Sequence, residues 1–185
     1  MMSSRPSPNT DLLINRDPEL SHGHICQNLR NSYFGACDQL LFSHTNPWEL
    51  DEALMHWGFP IGPCGLMDEL GLARVVKGQD GNGSPIFPRM LAEGRIGKIG
   101  GVGFYRYPGG GGAVTDPLIE DLILEEAHFA KHPRRGLSDA ELVQQMTQTL
   151  LTALKQHLRS GENRQDIYNI ALNQLRLPTR LIQMI

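Results

Sequence analysis

GRIGKIGGVGFYRYPGGGG, residues 94–112, sets nine glycines around Arg95, Lys98 and Arg106, and two opposite folds hang on its reading. A loop that cradles a phosphate belongs in an α/β nucleotide domain, whereas a loop that only turns the chain needs no sheet. A Walker loop requires G-x-x-x-x-G-K-[ST], with the lysine on phosphate and the hydroxyl on magnesium. Here Lys98 is followed by Ile99, and no other segment fits. A dinucleotide fingerprint requires G-x-G-x-x-G between a strand and a helix of a βαβ unit, and that spacing is missing too. The glycines therefore read as turn formers that lay the aromatic cluster Phe104-Tyr105-Arg106-Tyr107 against neighbouring helices. Arg95 and Lys98 read as solvated charge.

On either side of this stretch the pattern is helical. Ile25, Leu29, Tyr33, Ala36, Cys37, Leu40 and Leu41 recur at three and four, which predicts an amphipathic helix to about Ser43. Asn46-Pro47-Trp48-Glu49 offers a cap, a proline at the first helical position and a glutamate placed to close a capping box, so a second helix follows to about Trp57. GFPIGP, residues 58–63, is a rigid turn. Residues 63–77 read as a third helix despite Gly65 and Gly71. Each of these costs ~1 kcal/mol against alanine inside a helix, which implies a close approach to the backbone. After a loop at 78–83, Ser84 and Pro85 start a short helix that Gly94 stops. Asp116-Pro117 opens another to about Lys131, with Leu118, Ile119, Leu122 and Ile123 inward. Ser138 and Glu141 form a capping box for a long helix to about Arg159, with the stripe Leu142, Val143, Met146, Leu150, Ala153, Leu154, His157 and Leu158. Gly161 ends it, and Asn163 with Asp166 caps the last helix, to about Leu175. No strand run of consequence appears, so the expected fold is all-α.

The chain of 185 residues, 40% hydrophobic and 20% charged, has globular composition. Its net charge of −3 comes from scattered acids and bases, which argues against nucleic acid and anionic membrane as partners. No run reaches the ~18 apolar residues of a membrane span. Residues 1–21, with Pro6, Pro8 and Pro18, read as a poorly ordered arm without the apolar core of a secretory signal, and the cytoplasm is the expected location. Cys26 and Cys37 lie ~16 Å apart along one helix, too far for a disulfide. With Cys64 making an odd third, reduced thiols are expected.

An internal repeat is also legible. Helix 25–43, its turn and helix 47–57 before Pro60 correspond to helix 139–159, its turn and helix 164–175 before Pro178. At an offset of 117, Gln27, Ala36, Gln39, Ser43 and Asn46 meet Gln144, Ala153, Gln156, Ser160 and Asn163. One residue must be inserted in the second copy for the prolines to align.

Taken together, GFPIGPCGLMDELGL (58–72) and GRIGKIGGVGFYRY (94–107) resemble the C-terminal domain of the 3-hydroxyacyl-CoA dehydrogenase family. That family's typical run is a GFPMGPFEL-like turn, a D-x-x-GLD helix and, about thirty residues on, GRLGRKTGKGFYxY. The resemblance covers residues 23–107, and the repeat extends it through about 178, as in long multifunctional β-oxidation enzymes that carry two copies. It implies a helical bundle like the 6-phosphogluconate dehydrogenase C-terminal domain, with no Rossmann domain. The implied organisation is an arm at 1–21, the family domain at 22–108, a linker with one helix at 109–137, a partial second copy at 138–178 and a tail at 179–185.

In that family a 3-hydroxyacyl-CoA is oxidised to the 3-ketoacyl-CoA by hydride transfer to NAD. The Rossmann half carries the nucleotide, with a histidine and a supporting glutamate as general base. The helical half makes the dimer, or its in-chain mimic, and closes over the acyl-CoA. The resemblance thus implies no catalytic residue, metal or cofactor in this chain, with NAD reached only through a separate Rossmann partner. It implies acyl-CoA, and a second copy or that partner, as binding partners. The implied substrate-binding residues are Gln27, Phe59, Ile61, Gly62, Pro63 and Leu66. A structural or regulatory dimerisation module that has lost acyl-CoA binding is the alternative.

Three departures bear on that choice. Against the family's G-F-I-V-N-R-L this chain has Gly23-His24-Ile25-Cys26-Gln27-Asn28-Leu29. Gln27 therefore stands where an asparagine positions substrate, and a shift of ~1 Å can cost ~100-fold in rate. Ile99-Gly100-Gly101 replaces KTG, and Cys64-Gly65 interrupts the GPFEL run. Of the remaining candidates, Glu125, His128 and His132 share a helix face but lack H-E-x-x-H and read as solvated. Cys64 reads as a small buried residue, and Asp68 as a cap or pairing group.

Overall fold

A computed structural model describes residues 18–77 and 83–185 of the chain, with side chains from residue 23 onward. Helix α1 (Pro18–Ser43) begins seven residues before the predicted Ile25, so residues 18–21 belong to the helix; the arm up to residue 17 lies outside the described residues. Ile25, Leu29, Tyr33, Cys37 and Leu41 form its buried stripe. The orphan carbonyls at its C-terminus find a distant partner: the Arg134 guanidinium donates to Phe42 O (2.7 Å) and Thr45 O (2.8 Å). Much of the expected linker is thereby strapped to the first helix.

Asn46 caps α2 (Pro47–Trp57) through Oδ1, which accepts the Glu49 N–H at 3.0 Å. Only half of the expected capping box forms, because the Glu49 carboxylate takes the Thr45 hydroxyl instead, at 3.0 Å. The single helix expected over 63–77 is two, α3 (Pro63–Leu70) and α4 (Leu72–Val76). It breaks at Gly71, where φ is 86° and the next N–H, that of Leu72, turns to Ile96 O at 3.0 Å. Residues 78–82 of the predicted loop lie outside the described residues. Asp38 accepts the Ser84 N–H at 2.6 Å and its hydroxyl at 2.5 Å, and α5 (Ile86–Ala92) follows.

The glycine stretch folds as a 3-10 turn at Lys98–Gly100 and a short strand β1 (Tyr105–Arg106), paired antiparallel with β2 (Val114–Thr115). Two residues per strand leave the architecture all-helical. Helix α6 (Pro117–Phe129) buries Ile119, Leu122, Ile123 and Ala127. Its stripe centres on Ile119, Ile123 and Ala127, so Leu118, expected inside, stays at the rim and 63% exposed.

Helix α7 (Asp139–Arg159) has the predicted capping box at Ser138 and Glu141 and buries Leu142, Met146, Leu150, Leu154 and His157. Val143, Ala153 and Leu158 of the expected stripe are only half-buried. Helix α8 (Arg164–Asn169) passes directly into a π-helical turn, Ile170–Gln174. A π turn carries one residue more per hydrogen-bonded ring than an α-helix, and it lies in the segment where the offset of 117 calls for one extra residue before Pro178. The last segment is no loose tail. Helix α9 (Thr179–Ile182) buries Leu181 and Ile182, and the Arg180 guanidinium lies 4.6 Å from the centroid of the Trp57 ring.

The hairpins α1–α2 and α7–α8 pack reciprocally: α7 lies on α1 and α2, while α8 and its π turn lie on α1. Two cavities flank the α1–α7 crossing. The lining of one includes Asn28, Ser32, Ala153, Gln156, His157 and Ser160, that of the other Gln145, Thr149, Ala36, Gln39, Leu40 and Ser43, each among others. The offset of 117 residues relates these members of the two linings.

Candidate functional site

Two buried aspartates lock the two motif stretches to the helices. Asp51, on α2, accepts the N–H groups of Cys64 and Gly65, both at 2.9 Å, and the Tyr105 hydroxyl at 3.0 Å. It satisfies the orphan donors in the first turn of α3 from a different helix. Asp68, on α3, accepts the N–H groups of Phe104 and Tyr105 and the Tyr107 hydroxyl, each at 2.9 Å. Tyr105 joins the two locks, since its N–H serves Asp68 and its hydroxyl serves Asp51. Phe104 is fully buried, edge-on to Phe87 at 6.1 Å.

The glycines follow from this geometry. A Cβ on Gly62 would collide with the Asp51 carboxyl, and one on Gly103 with that of Asp68. Those residues are bare so that carboxylates, not phosphates, can reach the backbone. Arg95, expected as solvated charge, is 6% exposed. Its guanidinium donates to Asp116 at 2.9 Å and to Gly103 O at 3.0 Å, tying the glycine stretch to the cap of α6. Lys98 is exposed, with its ammonium 5.8 Å from the centroid of the Tyr107 ring.

Burial dominates the ionisation of both locks. It raises the carboxyls of Asp51 and Asp68 to about 6, against the donated N–H and O–H bonds, which favour the ionised form. The phenols of Tyr105 and Tyr107 are pushed up by burial and by those same carboxylates, so both remain hydrogen-bond donors.

A cavity of about 300 Å³ opens beside the locks, lined by Met55, Ile61, Gly62, Glu69, Lys98 and Tyr107 among others. Of the residues expected to bind substrate, Ile61 and Gly62 line it. Phe59, Pro63 and Leu66 are buried in the core, with the Phe59 ring 6.1 Å from that of Tyr33. Gln27 is half-buried on α1 and donates from Nε2 to Asn31 Oδ1 at 2.8 Å; it is not among the residues lining the cavity that holds Ile61. The six expected residues are thus two on a cavity wall, three in the core and one on a separate helix. The sequence reading passed over Asp51, although Pro47, Leu50, Asp51 and Leu54 form one buried face, and an acid on an apolar stripe is the signal of a paired buried charge.

The other candidates have structural partners. Glu125 pairs with Arg89 at 3.5 Å, and His132 meets the Ser43 hydroxyl at 2.8 Å while stacking on Phe42. Among the described residues no three His, Cys, Asp or Glu side chains are grouped to hold a metal, and no helix is long and apolar enough to cross a membrane.

The fold and its locks define a helical domain in which the glycine-rich stretch is a structural joint between α3 and α6. Residues 23–107 match the family model of the 3-hydroxyacyl-CoA dehydrogenase C-terminal domain, and this segment is a domain of that type. The chain is 32% identical over 98 residues to the fatty acid oxidation complex subunit alpha of Shewanella sp. (strain MR-7), a match taking in 48% of this chain and 14% of that protein. To the same subunit of Vibrio cholerae (El Tor Inaba N16961) it is 28% identical over 148 residues, 75% of this chain and 20% of the relative. The chain therefore spans a small fraction of the length of these relatives. Among solved structures, the dehydrogenase part of multifunctional enzyme 1 from C. elegans has the same fold, with a TM-score of 0.65 at 20% identity over 80% of this chain and 35% of that one.

Proposed function

We propose that this chain serves fatty-acid β-oxidation in the cytoplasm as the helical, acyl-CoA-binding half of a 3-hydroxyacyl-CoA dehydrogenase. NAD and the general base come from a Rossmann domain outside these helices. The observation that carries this reading is the family match over residues 23–107, the segment that holds both locked motifs. The cavity beside the locks supplies an apolar wall at Ile61 and Met55 and a single cation, Lys98. The wall suits an acyl chain, and Lys98 suits a CoA phosphate. The reciprocal packing of the two hairpins favours an in-chain mimic of the family's dimer over a homodimer. By itself the chain turns over no 3-hydroxyacyl-CoA.

The test is isothermal titration with acetoacetyl-CoA. Micromolar, saturable binding is expected, and Ile61→Asp abolishes it with the helical circular dichroism unchanged. No heat with the wild-type chain at millimolar ligand would sink the substrate role. The Gln27–Asn31 bond, which occupies the amide at the family's asparagine position, would then favour a pairing module without ligand.

A further inference from the structure

Three features remain outside the proposed function: the polar grooves along α1 and α7, the buried His157–Glu162 pair, and two thiols in the core. The grooves contain no unpartnered buried group that would name a ligand. The His157–Glu162 contact of 2.6 Å spans the end of α7 and is explained as a local cap. The thiols are not explained in this way.

Cys37 on α1 and Cys64 in the first turn of α3 bring their sulfurs to 3.7 Å. Both are completely buried and both are free. Two polar groups lie close by. The Cys64 N–H is held by Asp51, and the hydroxyl of Tyr33, one turn before Cys37, is buried without a hydrogen-bond partner.

We propose that Cys37 and Cys64 are an oxidisable dithiol, which a two-electron oxidant of the hydroperoxide class closes into a disulfide joining α1 to α3. One thiol sulfur attacks a peroxide oxygen, breaking the O–O bond and giving a sulfenic acid and water. The second sulfur then displaces the sulfenic hydroxyl, forming the S–S bond and releasing another water, so that two thiols and one hydrogen peroxide become one disulfide and two waters. The sulfurs must approach by ~1.7 Å to reach bonding distance. Burial pushes both thiols up, which makes the reaction slow in the closed core and sets its rate by local opening of α3. Cys64 lies two residues from Gly62, so the disulfide fixes the wall of the candidate site to α1. This inference does not depend on what that site binds.

The test treats the reduced wild-type chain with hydrogen peroxide at pH 8, then alkylates and maps its peptides. A Cys37–Cys64 linkage is expected, with the half-exposed Cys26 left in monomeric, unlinked form. The intact mass falls by two hydrogens for the linkage, and the thermal midpoint rises by about 5 °C or more, an effect that dithiothreitol reverses. Cys64→Ala should lose both the linkage and the rise. Cys37 and Cys64 still alkylated after long exposure, including in the low urea that opens α3, would overturn the proposal, as would linkage of either to Cys26.

Discussion

The two hairpins share a backbone plan and differ in what holds them. In the first, Asp38 and Asp51 project from α1 and α2 into buried surroundings and seize backbone N–H groups beyond their own hairpin. At the offset of 117 the second has Lys155 and Tyr168 in their places. Lys155 is exposed and Tyr168 is half-buried. The second hairpin ends in α9 with apolar anchors, and has no glycine-proline turn to hold. A repeated helical frame needs only apolar stripes, whereas a turn with many unpaired N–H groups also needs acceptors supplied from outside it.

The sharpest way to break this contrast is to remove a lock. Asp51→Ala leaves three donors, the N–H groups of Cys64 and Gly65 and the Tyr105 hydroxyl, without their acceptor, at ~1–3 kcal/mol each when buried. Urea unfolding should show a loss of at least about 3 kcal/mol, and the Lys155→Ala change on the second hairpin should stay within about 0.5 kcal/mol. Gly103→Ala should come next, by forcing the Asp68 carboxyl off its donors; a midpoint equal to wild type would refute the close-approach account of the glycine. Tyr107→Phe removes one of three donors to Asp68 and should cost about 1–2 kcal/mol, against a few tenths for Tyr168→Phe.

The same locks predict an effect of pH. Asp51 and Asp68 are raised to about 6 in the fold, above the ordinary carboxyl value of about 4 in an unfolded chain. The folded state therefore binds more protons between those values. The contribution of these two groups is complete below about pH 4 and is lost as pH rises through 6. The urea midpoint should consequently fall between pH 5 and pH 7, and less steeply in Asp68→Ala than in wild type. A midpoint that climbs over this range in both proteins would show that the donated bonds outweigh burial.

Much of the frame was legible in the residues. Apolar spacing at three and four, the Asn46, Asp116, Ser138 and Asn163 caps, and the stop at Gly161 all depend on atoms within a few residues of one another, and each helix they mark is present. The breaks were harder to see. Gly71 splits a helix because Leu72 bonds to Ile96, a partner 24 residues away that no local pattern announces. Leu118, expected inward, lies outside for a similar reason, and the expected tail at 179–185 packs as α9, since burial at a helix end depends on which neighbour covers it.

The candidate site shows the same division. The sequence by itself determined that the glycine stretch lacks the Walker and dinucleotide spacings, that the fold is all-helical and that two motifs pair in one helical domain, because residue type, order and spacing suffice for those conclusions. Tertiary structure alone decided that Arg95 is a buried strut, that only Ile61 and Gly62 of the expected set share a cavity, and that Asp51 and Asp68 hold the motifs in place. Those outcomes depend on which donors meet which acceptors across the fold, and a buried carboxylate has no meaning until the backbone amides that satisfy it have been brought to it.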